Sequence, residues 1–274
     1  MFYTKKSLGQ NFLINPHILD RIVSAAEVTK DDTILEVGPG TGNLTKKLAE
    51  KAKQVITVEK DRRLIGPLQE TLKGYGNLEI IEGDILNLDV TCYMLHEFGF
   101  KIVASIPYYI TSRFLRMLLE EWPKPKLIIL TIQKEVAQRI LAKPPHMNLL
   151  ALSIQYYSEP KIICSVSKNN FRPIPKVDSA IIRLVPRIFE VEPQIFSEVR
   201  PQKKNKEQTE KLFELIRFGF SEKRKQLAGV LSKKLKLKKE YIIEALEKTH
   251  LDSEVRPEKL TLKQWIELEK NLNI

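Results

Sequence analysis

One stretch constrains the fold of this 274-residue chain more than any other: Thr33-Ile34-Leu35-Glu36-Val37-Gly38-Pro39-Gly40-Thr41-Gly42. An apolar, strand-like run ends in closely spaced glycines, and Asn43-Leu44-Thr45-Lys46-Lys47-Leu48 then opens a helical pattern. Without a Cβ in the way, the backbone of such a turn can approach a ligand closely. In α/β sheets, nucleotide-like ligands sit where a strand carboxyl end feeds a helix amino end. The spacing is Glu-x-Gly-x-Gly-x-Gly, which differs from the Gly-x-Gly-x-x-Gly of dinucleotide binders. An ordinary left-handed turn is the other reading of this loop taken alone.

The rest of the chain fits an α/β frame. Asn15-Pro16 reads as a helix cap followed by proline at the first helical position, and Ile18, Leu19, Ile22, Val23 and Ala26 share one face of that helix. From about residue 32 to 186, strand and helix patterns alternate, which predicts a mostly parallel sheet. Candidate strands cover 33–37, 54–58, 78–81, 101–104, 126–132, 161–166 and 177–184. The last two are joined by a short loop and are expected to pair as an antiparallel hairpin. Residues 187–210 mix Pro, Glu, Gln and Lys, as a connector would. Helical periods return from Lys211, first at Leu212, Leu215, Ile216 and Gly219, later at Tyr241, Ile242, Ala245 and Leu246. The expected organisation is therefore a sheet domain over 1–189 and a small all-helical domain over 190–274.

Composition narrows the function classes. No apolar run approaches the roughly 18 residues a membrane span needs, and the amino terminus lacks an apolar signal segment. Cys92 and Cys164 are isolated, and His17, His96, His146 and His250 form no ligand-spaced cluster, so neither disulfides nor a metal is expected. These features point to the cytoplasm, with a monomer as the default state. Basic residues exceed acidic ones by 11, and the isoelectric point is about 9.4. Such an excess favours a polyanionic partner, most simply nucleic acid. A lysine-rich solvated surface is the alternative. Residues 201–240 hold 13 basic against 5 acidic residues, so most of the excess lies in the helical region. Lys223, Arg224, Lys225 and the run 233–239 are candidate contacts to an RNA backbone.

Chemistry is expected at the carboxyl ends of the strands. The second strand ends at Glu59, 17 residues beyond Gly42, where an acid can accept from both ribose hydroxyls of an adenosine. The third leads into Gly83-Asp84-Ile85, where Asp84 can accept from an adenine amino group. The fourth ends in Ala104-Ser105-Ile106-Pro107-Tyr108-Tyr109. Pro107 biases Ile106 toward an extended backbone, and Tyr108 offers a flat face to a base that has left its stack.

Glu36, Gly38, Gly40, Glu59 and Asp84 in register at successive strand ends resemble the first motifs of S-adenosylmethionine-dependent methyltransferases. Ser105–Tyr108 is similar to the Asn-Leu/Ile-Pro-Tyr motif of enzymes that methylate exocyclic amino groups of nucleic-acid bases. Gly9-Gln10-Asn11-Phe12-Leu13 and Phe171-Arg172-Pro173-Ile174-Pro175-Lys176-Val177-Asp178-Ser179-Ala180 resemble the two signatures of ribosomal RNA adenine dimethylases. Phe220-x-x-x-Arg224-Lys225-x-Leu227 and Arg256-Pro257-Glu258-x-Leu260 resemble marks of the small-subunit branch rather than the large-subunit, antibiotic-resistance branch.

The resemblance covers essentially the whole chain. It implies a seven-stranded, Rossmann-like class I methyltransferase sheet with a small helical RNA-binding domain. It implies dimethylation of N6 on two adjacent adenines in a 3′-terminal hairpin of small-subunit (16S) ribosomal RNA, on an immature small-subunit particle, with S-adenosylmethionine as cofactor. By the same resemblance Asn11, Leu13, Glu36, Gly38, Gly40, Glu59, Asp84 and Ser105 meet the cofactor. Ser105 and Pro107 supply acceptors for the target amino group, Tyr108 and Phe171 stack on the flipped adenine, and Arg172 contacts RNA.

The chain departs from the family pattern where Ser105 replaces Asn and Ala104 replaces the usual Gly. A serine hydroxyl is shorter than an amide, and losing one transition-state partner commonly costs about 10²–10³ in rate. The competing expectation is therefore an RNA-binding assembly factor of the same fold with weak or no methyl transfer.

Overall fold

The structure, a computed structural model, describes residues 10–93, 99–187 and 203–273. Gly9 and the expected domain boundary at 189/190 lie outside the described residues. Within them the chain divides into two compact units, residues 10–138 with 157–187, and residues 139–156 with 203–273.

The first unit begins with β1 (Phe12–Leu13) and α1 (Pro16–Ala25), whose N-cap Asn15 accepts from the N–H groups of His17 and Ile18. There follow β2 (Thr33–Val37), α2 (Asn43–Ala49), β3 (Gln54–Glu59), α3 (Arg62–Leu72) and β4 (Leu78–Glu82). Then come β5 (Lys101–Ser105), α4 (Thr111–Arg116), β6 (Leu127–Gln133) and α5 (Lys134–Ile140). β7 (Ser158–Val166), β8 (Phe171–Arg172) and β9 (Ser179–Pro186) complete the strands. Seven of them form one sheet in the order β4-β3-β2-β5-β6-β9-β7. The first five in that order pair in parallel. β9 is antiparallel to β7, as the sequence predicts, and also to β6.

The aliphatic runs of β2, β5 and β6 are almost wholly buried, as strands covered on both faces must be. From β2 the chain winds outward to β3 and β4, then returns to the other side of β2 as β5. That reversal opens a crevice beyond the carboxyl ends of β2 and β5, the place where ligands bind in doubly wound sheets. At the opposite edge the Lys101 ammonium donates to Asp32 Oδ2 at 2.8 Å and Glu27 O at 2.6 Å, pinning the start of β5 to the turn before β2.

A second, two-stranded sheet pairs β1 with β8, Phe12 opposite Arg172 and Leu13 opposite Phe171. Two residues are too few to show a period, so these strands have no signature in the local pattern. Their pairing nevertheless joins the two segments that carry the family-like signatures.

The second unit contains α6 (Leu149–Tyr157), α7 (Lys203–Phe220), α8 (Leu227–Leu235), α9 (Lys239–Lys248) and α10 (Leu262–Leu272). Leu215, Ile216, Leu231, Leu246, Trp265 and Leu268 build its core, and Met147, Ala151 and Leu152 join them. Residues 139–156 therefore pack with the helical unit rather than with the sheet, because their apolar side chains complete that core. α7 also starts within the stretch expected to be a connector. Lys, Glu and Gln are good helix formers, so a polar composition alone does not exclude a helix. No described helix is long and apolar enough to cross a membrane.

Candidate active site

The crevice is lined by the glycine loop, the ends of β3, β4, β5 and β6, and the β1–β8 ribbon. In the loop Gly38, Gly40 and Gly42 have φ of 72°, 56° and 78°. Gly40 shows why the residue must be glycine: an added Cβ would stand 2.6 Å from the Phe12 ring, in a backbone region that L side chains avoid. Gly38 lies over the end of β5, where an added Cβ would come 3.7 Å from Ser105 O.

Acidic groups ring one side of the crevice. Glu59 is 7% exposed; its Oε2 accepts from Gly40 N–H at 3.2 Å and its Oε1 from Asp61 N–H at 2.8 Å. Burial pushes its pKa up, against the pull of those two N–H groups. Asp61 is held well below the usual carboxylate range, chiefly by the Arg63 guanidinium and also by Gln10 Nε2 at 2.8 Å. Asp84 accepts from Lys60 Nζ at 2.7 Å and Leu86 N–H at 3.0 Å. Burial raises its pKa, but these partners outweigh burial and leave it lowered.

Glu36 differs from the others. It is 1% exposed and its Oε2 has no hydrogen-bond partner among the described residues. Burial pushes its pKa up to about 8, with the Glu59 charge adding to the rise. The Thr45 and Thr57 hydroxyls lie near enough to soften that rise, yet neither is placed in hydrogen-bond geometry.

The other side of the crevice is less polar. After Ser105 the backbone turns at Pro107 (φ −58°, ψ 136°) into a short 3₁₀ turn over Tyr108–Ile110. Pro107 O accepts from Ile110 N–H at 3.2 Å, so one of its two lone-pair directions stays open. The Tyr108 hydroxyl bonds Ser179 Oγ at 2.7 Å, tying this turn to the start of β9. Burial raises the Tyr108 pKa.

Asn11, Leu13, Glu36, Gly38, Gly40, Glu59, Asp84, Ser105, Pro107, Tyr108 and Phe171 all line this one crevice. Phe171 is only 2% exposed, however, and belongs to the core with Leu13, Leu19 and Val23. Its pairing with Leu13 turns the ring inward, so it forms wall rather than an open stacking face. Tyr109, 58% exposed, also lines the crevice, while Ile174 and Val177 are exposed on the loop between β8 and β9.

Arg172 lies outside the crevice lining, with its guanidinium on the carbonyls of Asn169 and Phe171. Lys223, Arg224 and Lys225 are exposed in the turn after α7, in the second unit; Lys225 pairs with Glu222 at 2.5 Å.

Gln10, Phe12, Lys60 and Thr131 also line the crevice, and no motif assigned a role to any of them. Gln10 and Phe12 stand inside a quoted signature. Thr131 carried its own signal, a lone hydroxyl in the otherwise aliphatic run Leu127–Ile132.

The ribosomal RNA adenine dimethylase family model matches residues 1–273. A ribosomal RNA small subunit methyltransferase A from Dehalococcoides mccartyi is 40% identical over 265 residues, covering 96% of this chain and 87% of that protein. Its counterpart in Alkaliphilus oremlandii is 41% identical over 277 residues, covering 99% and 92%. Among solved structures, a dimethyladenosine transferase from Plasmodium falciparum matches with a TM-score of 0.75 at 30% identity, covering 94% of this chain and 95% of that one. The 23S rRNA methyltransferase ErmE matches at 0.74 and 29% identity, covering 96% and 100%. With the glycine loop, the strand-end acids and the Ser105–Tyr108 turn all gathered at the reversal of strand order, this chain belongs to the ribosomal RNA adenine dimethylase family.

Proposed function

We propose that the protein dimethylates N6 of two adjacent adenines in a 3′-terminal hairpin of small-subunit ribosomal RNA, using S-adenosylmethionine. The observation that carries this reading is the division of one crevice into an acidic half on β2, β3 and β4 and a hydroxyl, proline and aromatic half on β5 and β6. The acidic half suits an adenosine bearing positive charge. Glu59 and Asp84 are acceptors for ribose hydroxyls and an adenine amino group, with Asp84 sharing itself with Lys60. The orphaned Glu36 Oε2 is matched by a cationic ligand, and the glycine loop lets backbone come close.

S-adenosylmethionine supplies an activated methyl group on a sulfonium. The protein's own work is positioning, because the N6 lone pair is delocalised into the purine ring. Ser105 Oγ and Pro107 O accept from the amino hydrogens, which favours a tetrahedral nitrogen and stabilises its developing positive charge. N6 would take the methyl group from the bound cofactor, which would leave as S-adenosylhomocysteine, and the surplus N6 proton would pass to solvent. No strong base is needed. Tyr108 stacks on the extruded base, worth roughly 1–3 kcal/mol, and Phe171 backs it from the wall. Lys223, Arg224 and Lys225 serve the RNA backbone from the helical unit. The same reading places the protein in the cytoplasm, acting as a monomer on an immature small-subunit particle.

The test is transfer of labelled methyl groups to small-subunit particles that lack the modification, followed by nucleoside analysis of the RNA. Label recovered as N6,N6-dimethyladenosine supports the proposal. RNA binding without label would favour the assembly factor that the Ser105 departure allows. Label confined to large-subunit RNA would move the protein to the other branch.

A further inference from the structure

Thr131 stands beside Ser105 with a hydroxyl that has no partner among the described residues. The two residues are register partners on the parallel strands β5 and β6. Paired residues on neighbouring parallel strands project to the same face, with backbones about 4.8 Å apart. Two short hydroxyl side chains can bridge that span. Thr131 is 2% exposed, lines the crevice, and its Oγ1 has no hydrogen-bond partner among the described residues. A buried hydroxyl left without a partner is unfavourable, and valine would fill the same volume without that cost.

The other polar side chains of this half of the crevice are committed or turned outward. The Tyr108 hydroxyl is bonded to Ser179 Oγ, and Tyr109 is mostly exposed. Glu36 and Glu59 belong to β2 and β3, on the far side of Ser105 from β6.

We propose that Thr131 is a positioning residue for the amino group that is methylated. The two hydroxyls are not hydrogen-bonded in this structure; with the target base in place, rotation of these side chains lets the Thr131 hydroxyl donate to Ser105 Oγ, which turns the remaining Ser105 lone pair toward an amino hydrogen of that base. A hydroxyl is both donor and acceptor, so a serine that receives a hydrogen bond from a neighbour becomes an acceptor of fixed direction. Two short side chains on adjacent strands then do what one longer amide would do alone. The target class is a primary amine conjugated to an aromatic ring, and the inference rests on the methyl-transfer reading above.

The test compares the full-length protein with Thr131→Val, Thr131→Ser, Ser105→Asn and the Thr131→Val/Ser105→Asn double variant. Three quantities are read: kcat and KM for methyl transfer to RNA, affinity for S-adenosylhomocysteine by calorimetry, and the thermal midpoint. Thr131→Val is expected to keep or raise the midpoint, because it removes an unpartnered hydroxyl. It should leave cofactor affinity and the RNA KM within about twofold and lower kcat by about 10–100-fold, by analogy with the loss when a partner that orients a metal ligand is removed. Thr131→Ser should retain activity. In the Ser105→Asn background the Thr131→Val loss should largely vanish.

An unchanged kcat in Thr131→Val overturns the inference. So does an equal loss in the wild-type and Ser105→Asn backgrounds, and so does a Thr131→Ser variant as slow as Thr131→Val, because each would mean that the hydroxyl orients nothing. A wild-type protein that neither binds S-adenosylhomocysteine nor transfers methyl groups overturns the methyl-transfer reading itself, and this inference with it.

Discussion

Glu36→Gln separates what the buried acid costs the fold from what it gives the site. In the unfolded chain Glu36 titrates near 4.5, whereas burial in the folded protein moves it to about 8. Between those values the folded protein holds a proton that the unfolded chain has released. Stability therefore falls as pH rises through this window, by about 1.4 kcal/mol per unit. The full excursion is on the order of 5 kcal/mol. Below about pH 4.5 both states hold the proton, so this group contributes nothing to the slope; above about pH 8 the loss is complete. Gln has the same shape and never ionises, so the variant escapes the loss. Glu59 is also raised, but it is present in both proteins and its slope largely cancels in the comparison.

Urea unfolding at about pH 5, 7 and 8.5 reads the difference. The variant should match wild type near pH 5 and exceed it by several kcal/mol at pH 8.5. Calorimetry at pH 8.5 should find weaker S-adenosylmethionine binding by the variant, since a carboxylate facing a cation is gone. Such an exchange of stability for function is common at active sites. A stability difference that stays flat from pH 5 to 8.5 would mean that Glu36 does not titrate as a buried, raised carboxyl.

Other perturbations follow from the same geometry. Gly40→Ala places a Cβ 2.6 Å from the Phe12 ring at a φ of 56°, so stability should fall by about 1–2 kcal/mol and cofactor affinity by tenfold or more; thermal unfolding and calorimetry check both. Gly219→Ala should destabilise by about 1–3 kcal/mol although alanine favours helix, because its Cβ meets Trp265 and comes 2.9 Å from Leu227 Cδ1. Cofactor affinity should be unchanged in that variant. Reversing Lys223 and Arg224 to Glu should weaken RNA binding and flatten its dependence on salt, while cofactor affinity stays constant; filter binding at several ionic strengths reads the slope.

The parts of the site written in the sequence are those that strand ends deliver one by one. Glu36, Glu59, Asp84 and Ser105 each lie at or beside the carboxyl end of a strand legible from its aliphatic run, and a parallel sheet brings such ends to one edge. What stayed hidden depends on partners far along the chain. The Phe12–Leu13 and Phe171–Arg172 strands are too short to show a period and become visible only when paired. An aromatic in a signature reads the same whether it stacks on a ligand or packs in the core, and pairing with Leu13 decides for Phe171. Residues 139–156 look like part of the alternating pattern until the core around Trp265 claims Ala151 and Leu152. Thr131 was legible as an oddity, but its use depends on lying beside Ser105, which only strand register reveals.

A crystal structure of the protein with S-adenosylhomocysteine would locate the nucleoside. The ribose hydroxyls are expected on Glu59, the adenine amino group on Asp84, and the sulfur turned toward Ser105 and Pro107. The nucleoside bound anywhere other than the β2–β5 crevice, or seated there with its ribose away from Glu59, would contradict that placement.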